Sequence, residues 1–200
     1  MNQSKTENAL ELVRSLGVLR PRDLAAHGIR RDYLNSLLER GLVERVGRGL
    51  YVPADSQVTE HHSLAEASKR VPHGVVCLLS ALSFHVIGTQ NPHQIWVAIG
   101  RTSRMPKSDG ALIRVVRFSG AALEYGVEER NIEGVPVRIY NPAKTVADCF
   151  KYRNKIGLDV ALEALRDCWR QRRATMDELW QAAEVCRVAR VMRPYLESLV

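Results

Sequence analysis

The amino-acid sequence predicts an α+β fold in two parts, a small N-terminal domain and a larger α+β domain with a mostly helical C-terminal part. In the first 54 residues, apolar side chains recur at helical spacing and then alternate as they do in strands. Alternation dominates between residues 93 and 140, and helical spacing returns from residue 142 onwards. The 200 residues are 46% hydrophobic, which is enough for two cores. We place the domains at 1–54 and 58–200, with Pro53-Ala54-Asp55-Ser56-Gln57 as the linker.

The first two helices are short and closely spaced. Residues 7–16 are predicted to form the first, because their apolar side chains share one face, and Gly17 suits its end. Pro21 suits the first position of a second helix over 22–27, and Gly28 suits the end of that helix. Two short helices joined by a glycine-containing turn are typical of the helix-turn-helix motif.

The third helix has one apolar and one polar face. On a helical wheel centred on Leu34, both Leu37 and Leu38 lie within about 60°, so they are predicted to face the core. Arg30 and Arg31 stand at the N-terminal tip, the end that enters the major groove in helix-turn-helix proteins. The residues that face away from the core are Asp32, Tyr33, Asn35, Ser36, Glu39 and Arg40.

A strand pair is predicted directly after the third helix. Residues 42–46 and 50–52 alternate in polarity on either side of Gly47, Arg48 and Gly49. Arg48 would then stand at the tip of a hairpin, where it can reach a phosphate or the minor groove. The N-terminal domain is therefore predicted to be a winged helix-turn-helix.

The charge of the chain is compatible with an anionic partner. The net charge is +7, the isoelectric point is about 9.5 and most of the basic residues are arginines. The N-terminal domain itself carries only +3, from nine basic and six acidic residues, so charge alone does not decide between DNA binding, a solvated surface and a protein-docking adaptor without DNA affinity. We favour DNA, because the polar face of the third helix combines arginine with hydrogen-bonding side chains. The predicted DNA-binding residues are Arg30, Arg31, Tyr33, Asn35, Ser36, Arg45 and Arg48.

The second domain is predicted to combine strands with covering helices. Its first half should contain two helices and four strands, and its second half four helices. The predicted helices are 63–71, 78–87, 142–152, 158–172, 176–186 and 189–199, and the predicted strands are 93–99, 112–118, 127–132 and 135–140.

Three blocks of the sequence resemble one family. The segments GIRRDYLNSLLERGLVERVGRGLYV, SALSFHVIGTQNPHQIWVAI and NPAKTVADCFKYRNKIGLDVALEALRD are similar to the AbiEi-type antitoxins of bacterial type IV toxin–antitoxin systems, which are also transcriptional regulators. The resemblance spans nearly the whole chain. Its most specific parts are the end of the wing, with Gly49 and Tyr51, and the third block from Asn141 to Gly157.

The resemblance implies both a nucleic-acid partner and a protein partner. The winged helix would bind inverted repeats of double-stranded DNA in the promoter of its own operon, as a repressor and with a possible homodimer on the DNA. The second domain would antagonise a nucleotidyltransferase-like toxin without forming a stable complex. Arg31 occupies the position of the family's arginine at the start of the third helix, the one that contacts the bases. Arg45 and Arg48 occupy the positions of the family's arginines in the wing. Arg30 departs from the family, because it stands where a serine or threonine N-cap is usual.

No catalytic residue, metal ligand or cofactor is expected. The four cysteines show no metal-binding spacing, so they are predicted to be reduced thiols on apolar faces, and the histidines are scattered. A nuclease or nucleotidyl transferase guided by the winged helix is the alternative, but no lysine has Asp or Glu two residues before it, as common nuclease motifs require. The polar N-terminus and the lack of a long apolar run predict a cytoplasmic protein.

Two further clusters have open interpretations. Lys144, Thr145 and Asp148 begin a helix after Pro142, where they either hold an anion or orient the helix, with the second interpretation favoured. The C-terminal helices carry a basic surface, which is either a second phosphate-contacting face or a solvated one. Its members are Arg170, Arg172, Arg173, Arg187, Arg190 and Arg193.

Overall fold

The computed structural model describes residues 2–47, 49–55, 60–105 and 112–199. The chain divides into two compact units. The first unit contains residues 1–72 together with 131–137, and the second contains 73–105, 112–130 and 138–200. Ser56 and Gln57 of the predicted linker lie outside the described residues. The division at 54–58 stays a prediction, and we note that the first unit also includes the helix that follows the linker.

The first unit contains a winged helix-turn-helix. Its helices are α1 (Asn2–Leu16), α2 (Pro21–Ala26), α3 (Asp32–Glu39) and α4 (His62–Arg70), and its strands are β1 (Val43–Gly47) and β2 (Leu50–Pro53). The two strands are antiparallel, and Leu19 adds a bridge to Tyr51 at the other edge of β2. The apolar faces of α1, α2 and α3 meet in one buried core with Val43 and Tyr51. This arrangement confirms the predicted α+β class and is consistent with the predicted winged helix.

The second unit contains most of a five-stranded sheet; residues 131–137, from the outer hairpin of that sheet, are grouped with the first unit. The strand order is β5-β4-β3-β7-β6, with β4 parallel to β5, β3 antiparallel to β4 and β3 parallel to β7. The strands are β3 (Val75–Val76), β4 (Ile95–Gly100), β5 (Ile113–Phe118), β6 (Val127–Ile132) and β7 (Val135–Tyr140). The helices are α5 (Leu78–His85), α6 (Ala121–Glu124), α7 (Pro142–Lys151), α8 (Arg153–Ile156), α9 (Leu158–Arg170), α10 (Met176–Val185) and α11 (Ala189–Glu197).

The central helix of the second unit is α7. It packs against α5, α9 and α10, and every residue from Ala143 to Phe150 is buried. Asn141 is its N-cap, since the Asn141 side chain accepts a hydrogen bond from the Lys144 backbone N–H at 2.9 Å. Pro142 at the first position has no N–H to satisfy. Helix α7 therefore has no exposed face between Ala143 and Phe150, and Lys151 at its end is exposed.

The predicted secondary structure agrees with the structure in the type of every long element, and the differences in bounds have local causes. The first helix begins at Asn2 instead of residue 7, because residues 2–6 contain no apolar side chain that could show a helical period. The helix that begins at Leu78 ends at His85 instead of residue 87, because Val86 adopts a left-handed conformation with φ +56°. β3, α6 and α8 were not predicted, since two to four residues are too few to show a periodicity. In the described part of the chain, no helix is both long and apolar enough to cross a membrane.

His85 couples the stability of the second unit to pH. Its ring lies half-buried, the Nε2–H donates to the Tyr140 carbonyl oxygen at 2.7 Å, and burial lowers the pKa of His85 below 6.5. The unfolded chain therefore takes up a proton first as the pH falls below 6.5, and folded-state stability is lost there. We expect urea unfolding to show that the free energy of unfolding falls less between pH 7.5 and pH 5.5 in His85→Gln than in the unmodified chain. His93→Gln, at an exposed position, should keep the full loss; equal losses in all three proteins would contradict this prediction.

Candidate nucleic-acid interface

Helix α3 separates a buried face from an exposed one. Leu34 and Leu37 are 1% and 0% exposed, whereas Asn35 is exposed and Ser36 is half-buried. These burial values confirm the two faces that the helical wheel predicts. Tyr33 is half-buried and packs at the edge of the apolar core, so its phenol ring lies between the two faces. The polar face of α3 is thus held by packing on the opposite side of the same helix.

The N-terminal tip of α3 carries an exposed ion pair. Arg30 Nη2 and Asp32 Oδ2 are 2.5 Å apart, with side chains 79% and 70% exposed. Helix α3 is assigned from Asp32, and Arg31 before it already has helical backbone angles, φ −56° and ψ −30°. The Arg30 carbonyl oxygen accepts a hydrogen bond from the Tyr33 N–H at 3.2 Å, so Arg30 stands at the start of the helix, and no capping side-chain hydrogen bond is present among the described residues. An exposed pair of this kind contributes about 0–1 kcal/mol, so phosphate can replace Asp32 as the partner of Arg30 at small cost.

The wing is a short hairpin with a bulge. The register of β1 and β2 shifts between Arg45 and Gly47, and Gly49 has φ +68°. Arg45 is exposed, and its Nε–H donates to the Gly47 carbonyl oxygen at 3.2 Å, which keeps the guanidinium close to the turn. Arg48 lies outside the described residues, so its place at the tip stays a prediction.

Carboxylates neutralise some basic side chains of the first unit and leave others available. Arg14 pairs with Asp55 at 2.7 Å, Lys69 with Asp23 at 3.2 Å, and Arg70 with Glu66 at 2.7 Å. Three exposed arginines form no ion pair within the part of the chain that the structure describes, and two of them are predicted DNA-binding residues. They are Arg31, Arg40 and Arg45. Arg40 follows the last residue of α3 and was not among the predicted contacts, although its place on the polar face of the wheel was visible in the sequence.

The interpretation of Lys144 and Asp148 as an anion site is wrong. Both are fully buried, and Lys144 Nζ lies 2.6 and 2.5 Å from the two carboxylate oxygens of Asp148. The backbone N–H of Lys144 is bonded to Asn141, so the start of α7 is already capped. The favoured interpretation, in which Thr145 orients the helix, agrees with its bond to the Tyr140 carbonyl oxygen at 3.2 Å. The ion pair itself was not predicted.

The thiols and histidines have structural surroundings. All four cysteines are buried and free, and burial raises the pKa of both Cys168 and Cys186 to about 12. His62 Nδ1 lies 2.6 Å from Glu133 Oε2 in the first unit. Among the described residues, no group of three or more His, Cys, Asp or Glu side chains could hold a metal ion.

The basic surface of the C-terminal helices is exposed and partly paired. Arg170 pairs with Asp167 at 2.8 Å and Arg193 with Glu197 at 2.7 Å. The other four arginines have no carboxylate partner among the residues that the structure describes; they are Arg172, Arg173, Arg187 and Arg190. A second phosphate-contacting face formed by these four arginines stays a prediction.

Comparison with known proteins finds a family similar to the N-terminal part of the chain and a solved structure with a similar fold. Residues 8–54, from α1 to the end of β2, match the family model described as transcriptional regulator, AbiEi antitoxin. The crystal structure of the RV2827C protein from Mycobacterium tuberculosis is similar over 90% of this chain and 71% of that one, with a TM-score of 0.57 and 15% identity. At that identity the likeness concerns the fold alone. No curated protein matches the sequence significantly.

Proposed function

We propose that the chain is a DNA-binding transcriptional regulator and the antitoxin of a type IV toxin–antitoxin system, without catalytic activity. It represses its own operon in the cytoplasm and antagonises a nucleotidyltransferase-like toxin without a stable complex. The observation that carries the proposal is the match of residues 8–54 to AbiEi regulators, over the same residues that form α1, α2, α3 and the wing. The polar face of α3 is exposed, so it is available to contact DNA as the match suggests.

The arrangement of the first unit supports a specific mode of binding. Helix α3 would lie in the major groove with its N-terminal end against the base edges, as in other helix-turn-helix proteins. Arg31 has no carboxylate partner within the described residues and can donate two parallel hydrogen bonds to a guanine. Asn35 and Ser36 lie one turn further along the helix, where they can reach the neighbouring bases. Arg45 and Arg48 would hold the phosphates beside the wing.

The modest charge of the N-terminal domain bears on affinity. With a net charge of only +3 from nine basic and six acidic residues, a single domain neutralises few phosphates. Binding of two copies to an inverted repeat would double the contacts and would match the symmetry of the site. We therefore propose a homodimer on DNA.

The direct test is binding to the DNA upstream of its own gene. Fluorescence anisotropy with this DNA and with a random duplex of equal length, at several salt concentrations, should show a preference for the upstream DNA of about 10³-fold or more. Affinity should fall as salt rises, since bound phosphates release counterions. Equal affinity for the two duplexes would exclude a specific repressor, and no binding to either would favour a protein-docking adaptor.

The reading-helix and wing arginines should be needed for this binding. Arg31→Ala is expected to cost about 1–3 kcal/mol of binding free energy and to relax base preference, whereas Arg48→Ala should weaken all sequences alike. The matched control is Arg14→Ala, an exposed arginine on α1 that is paired with Asp55. If Arg14→Ala weakens binding as much as Arg31→Ala, only net charge matters and the interface lies elsewhere.

The antitoxin activity should be separable from DNA binding. In cells that express a nucleotidyltransferase-like toxin from the neighbouring gene, the full-length Arg31→Ala/Arg48→Ala double variant should still restore growth while repression is lost. Loss of both activities would contradict the assignment of antitoxicity to the second domain. Turnover of labelled DNA, RNA or nucleotides with Mg²⁺ would favour the enzyme alternative.

A further inference from the structure

The second unit contains a cavity that the proposed function does not use. It has a volume of about 390 Å³ and lies where β5, α6, α7 and α10 meet. Pockets that bind small molecules usually measure about 300–1,000 Å³, so the space suits one small molecule. Its lining residues come from the end of β5 and the start of α6, the end of α7 and the end of α10.

Three basic side chains line this cavity. Arg117 stands near the end of β5, Lys151 at the end of α7 and Arg187 just after α10, and all three are exposed. None of them forms an ion pair with a carboxylate that the structure describes, unlike the neighbouring Arg170 and Arg193. Three basic residues from separate parts of the second unit thus line one space, and none of them is held in an ion pair with a described residue.

The position of Arg117 is fixed by backbone oxygens. Its Nη1 donates to the carbonyl oxygens of Gly100, Arg101 and Ser103 at 3.1, 2.7 and 2.9 Å. Those three bonds come from a single nitrogen, so the described residues leave the Nε–H and Nη2–H groups for another acceptor. A guanidinium held in this way loses little freedom when it binds an anion.

Arg187 has a backbone conformation that glycine would adopt more easily. Its φ is +58°, and this turn ends α10, because the Arg187 N–H donates to the Glu184 carbonyl oxygen at 2.9 Å and the Val188 N–H donates to the Ala183 carbonyl oxygen at 2.8 Å. The following residue, Val188, is buried in the core, which holds the turn in place. Glycine suits this position, so the Arg187 side chain can be removed without adding backbone strain.

The inner surface of the cavity includes aromatic rings and a carboxylate whose charge is neutralised by a lysine. Phe118 and Tyr152 line it with ring centroids 5.6 Å apart. Asp148 also lines it, but its carboxylate is bonded to Lys144, so the ion pair adds little net charge. The excess positive charge therefore belongs to Arg117, Lys151 and Arg187.

We propose that this cavity binds a small phosphorylated molecule, with its phosphate between Arg117, Lys151 and Arg187 and a flat group against Tyr152. Arginine and lysine are the usual phosphate ligands, and an aromatic ring accepts the face of a base. A nucleic-acid strand would instead follow an extended basic groove across several nucleotides, which a cavity of about 390 Å³ does not provide. The proposal is independent of DNA binding by the first unit.

The test is calorimetric titration of the full chain, without DNA, with AMP, inorganic phosphate and adenosine. AMP should bind, phosphate should bind more weakly, and adenosine should bind at least about tenfold more weakly than AMP, since a charge-assisted hydrogen bond is worth that factor. Lys151→Gln and Arg187→Gly should each weaken AMP by about tenfold. Glycine suits φ +58°, so the second variant should fold normally, which circular dichroism will verify.

A matched control distinguishes the cavity from general basicity. Arg172 is also an exposed arginine with positive φ, at +54°, in the same unit but outside this cavity. Arg172→Gly should bind AMP as the unmodified chain does, within about twofold. No binding of AMP or phosphate at millimolar concentration would overturn the proposal. An equal loss in Arg172→Gly and Arg187→Gly would also overturn it, because the bound molecule would then lie elsewhere or only sense net charge.

Discussion

Replacing Lys144 with methionine is expected to lower the free energy of unfolding by about 3–5 kcal/mol at pH 8, because the substitution leaves the Asp148 carboxylate buried without its counter-charge. Both side chains are almost completely buried, and both oxygens of the Asp148 carboxylate accept hydrogen bonds from the Lys144 ammonium. Urea unfolding followed by circular dichroism measures the loss directly.

The surroundings of Lys144 make methionine the most informative replacement. The Lys144 ammonium lies 4.0 Å from the ring centroid of Tyr140 and 4.6 Å from that of Phe118, so both rings face the positive charge. Methionine has a similar length and makes favourable contacts with aromatic rings, which keeps the packing largely filled. The decrease in the free energy of unfolding is then caused by the missing charge and not by a cavity.

The pH dependence of the variant separates charge from packing. Burial raises the pKa of Asp148 to about 6, and Lys144 opposes that rise. Without Lys144 the opposition disappears, so the pKa should rise further and the folded state should take up a proton that the unfolded chain does not. Stability is therefore regained as the pH falls from 8 towards 5. A packing defect would be equally large at both pH values and would contradict this interpretation.

Two controls complete the test. Lys144→Met/Asp148→Leu removes both charges and should recover most of the loss, as replacement of other buried pairs by apolar groups does. Lys151→Met changes an exposed lysine on the same helix and should alter stability by less than about 0.5 kcal/mol. If the double variant is as unstable as the single one, the pair contributes through its shape rather than its charge.

The Lys144–Asp148 pair also shows where prediction from sequence ends. The spacing of four residues is visible in the sequence and is typical of an exposed helical ion pair. Its burial depends on α5, α9 and α10, which pack against α7 and lie outside the segment that forms it. Helical periodicity therefore located α7, but it could not show that the helix has no solvent face.

More of the candidate interface than of the Lys144–Asp148 pair could be predicted, because the interface depends on one short helix and the hairpin that follows it. The faces of α3 follow from the period of the helix, and Leu34 and Leu37 are buried as that period requires. The exact start of α3 could not be predicted, because Arg30 and Arg31 provide no capping side chain and the backbone angles there do not follow from residue type. The cavity around Arg117 could not be predicted, because its lining residues come from four separate elements.

Gly17→Ala is expected to destabilise the first unit by about 3 kcal/mol or more. Gly17 has φ +61°, and a Cβ atom there would overlap the backbone carbonyl oxygen of Glu133. The approach is close from both sides, because a Cβ atom on Gly134 would lie 2.7 Å from the Ser15 carbonyl oxygen. Since neither backbone can yield without moving the end of α1 or the turn between β6 and β7, the clash cannot be relieved by a change of rotamer.

Gly28→Ala separates the clash from the backbone strain. Gly28 has φ +69°, but a Cβ atom there would meet nothing within 4 Å. Its substitution should cost only the left-handed conformation, about 1–2 kcal/mol. The difference between the two variants is then the contribution of the contact between α1 and the hairpin turn. In hydrogen-exchange measurements, the amides near residue 16 and within 131–137 should exchange faster in Gly17→Ala but not in Gly28→Ala. Equal losses in the two variants would mean that the hairpin turn does not contribute to the stability of the first unit.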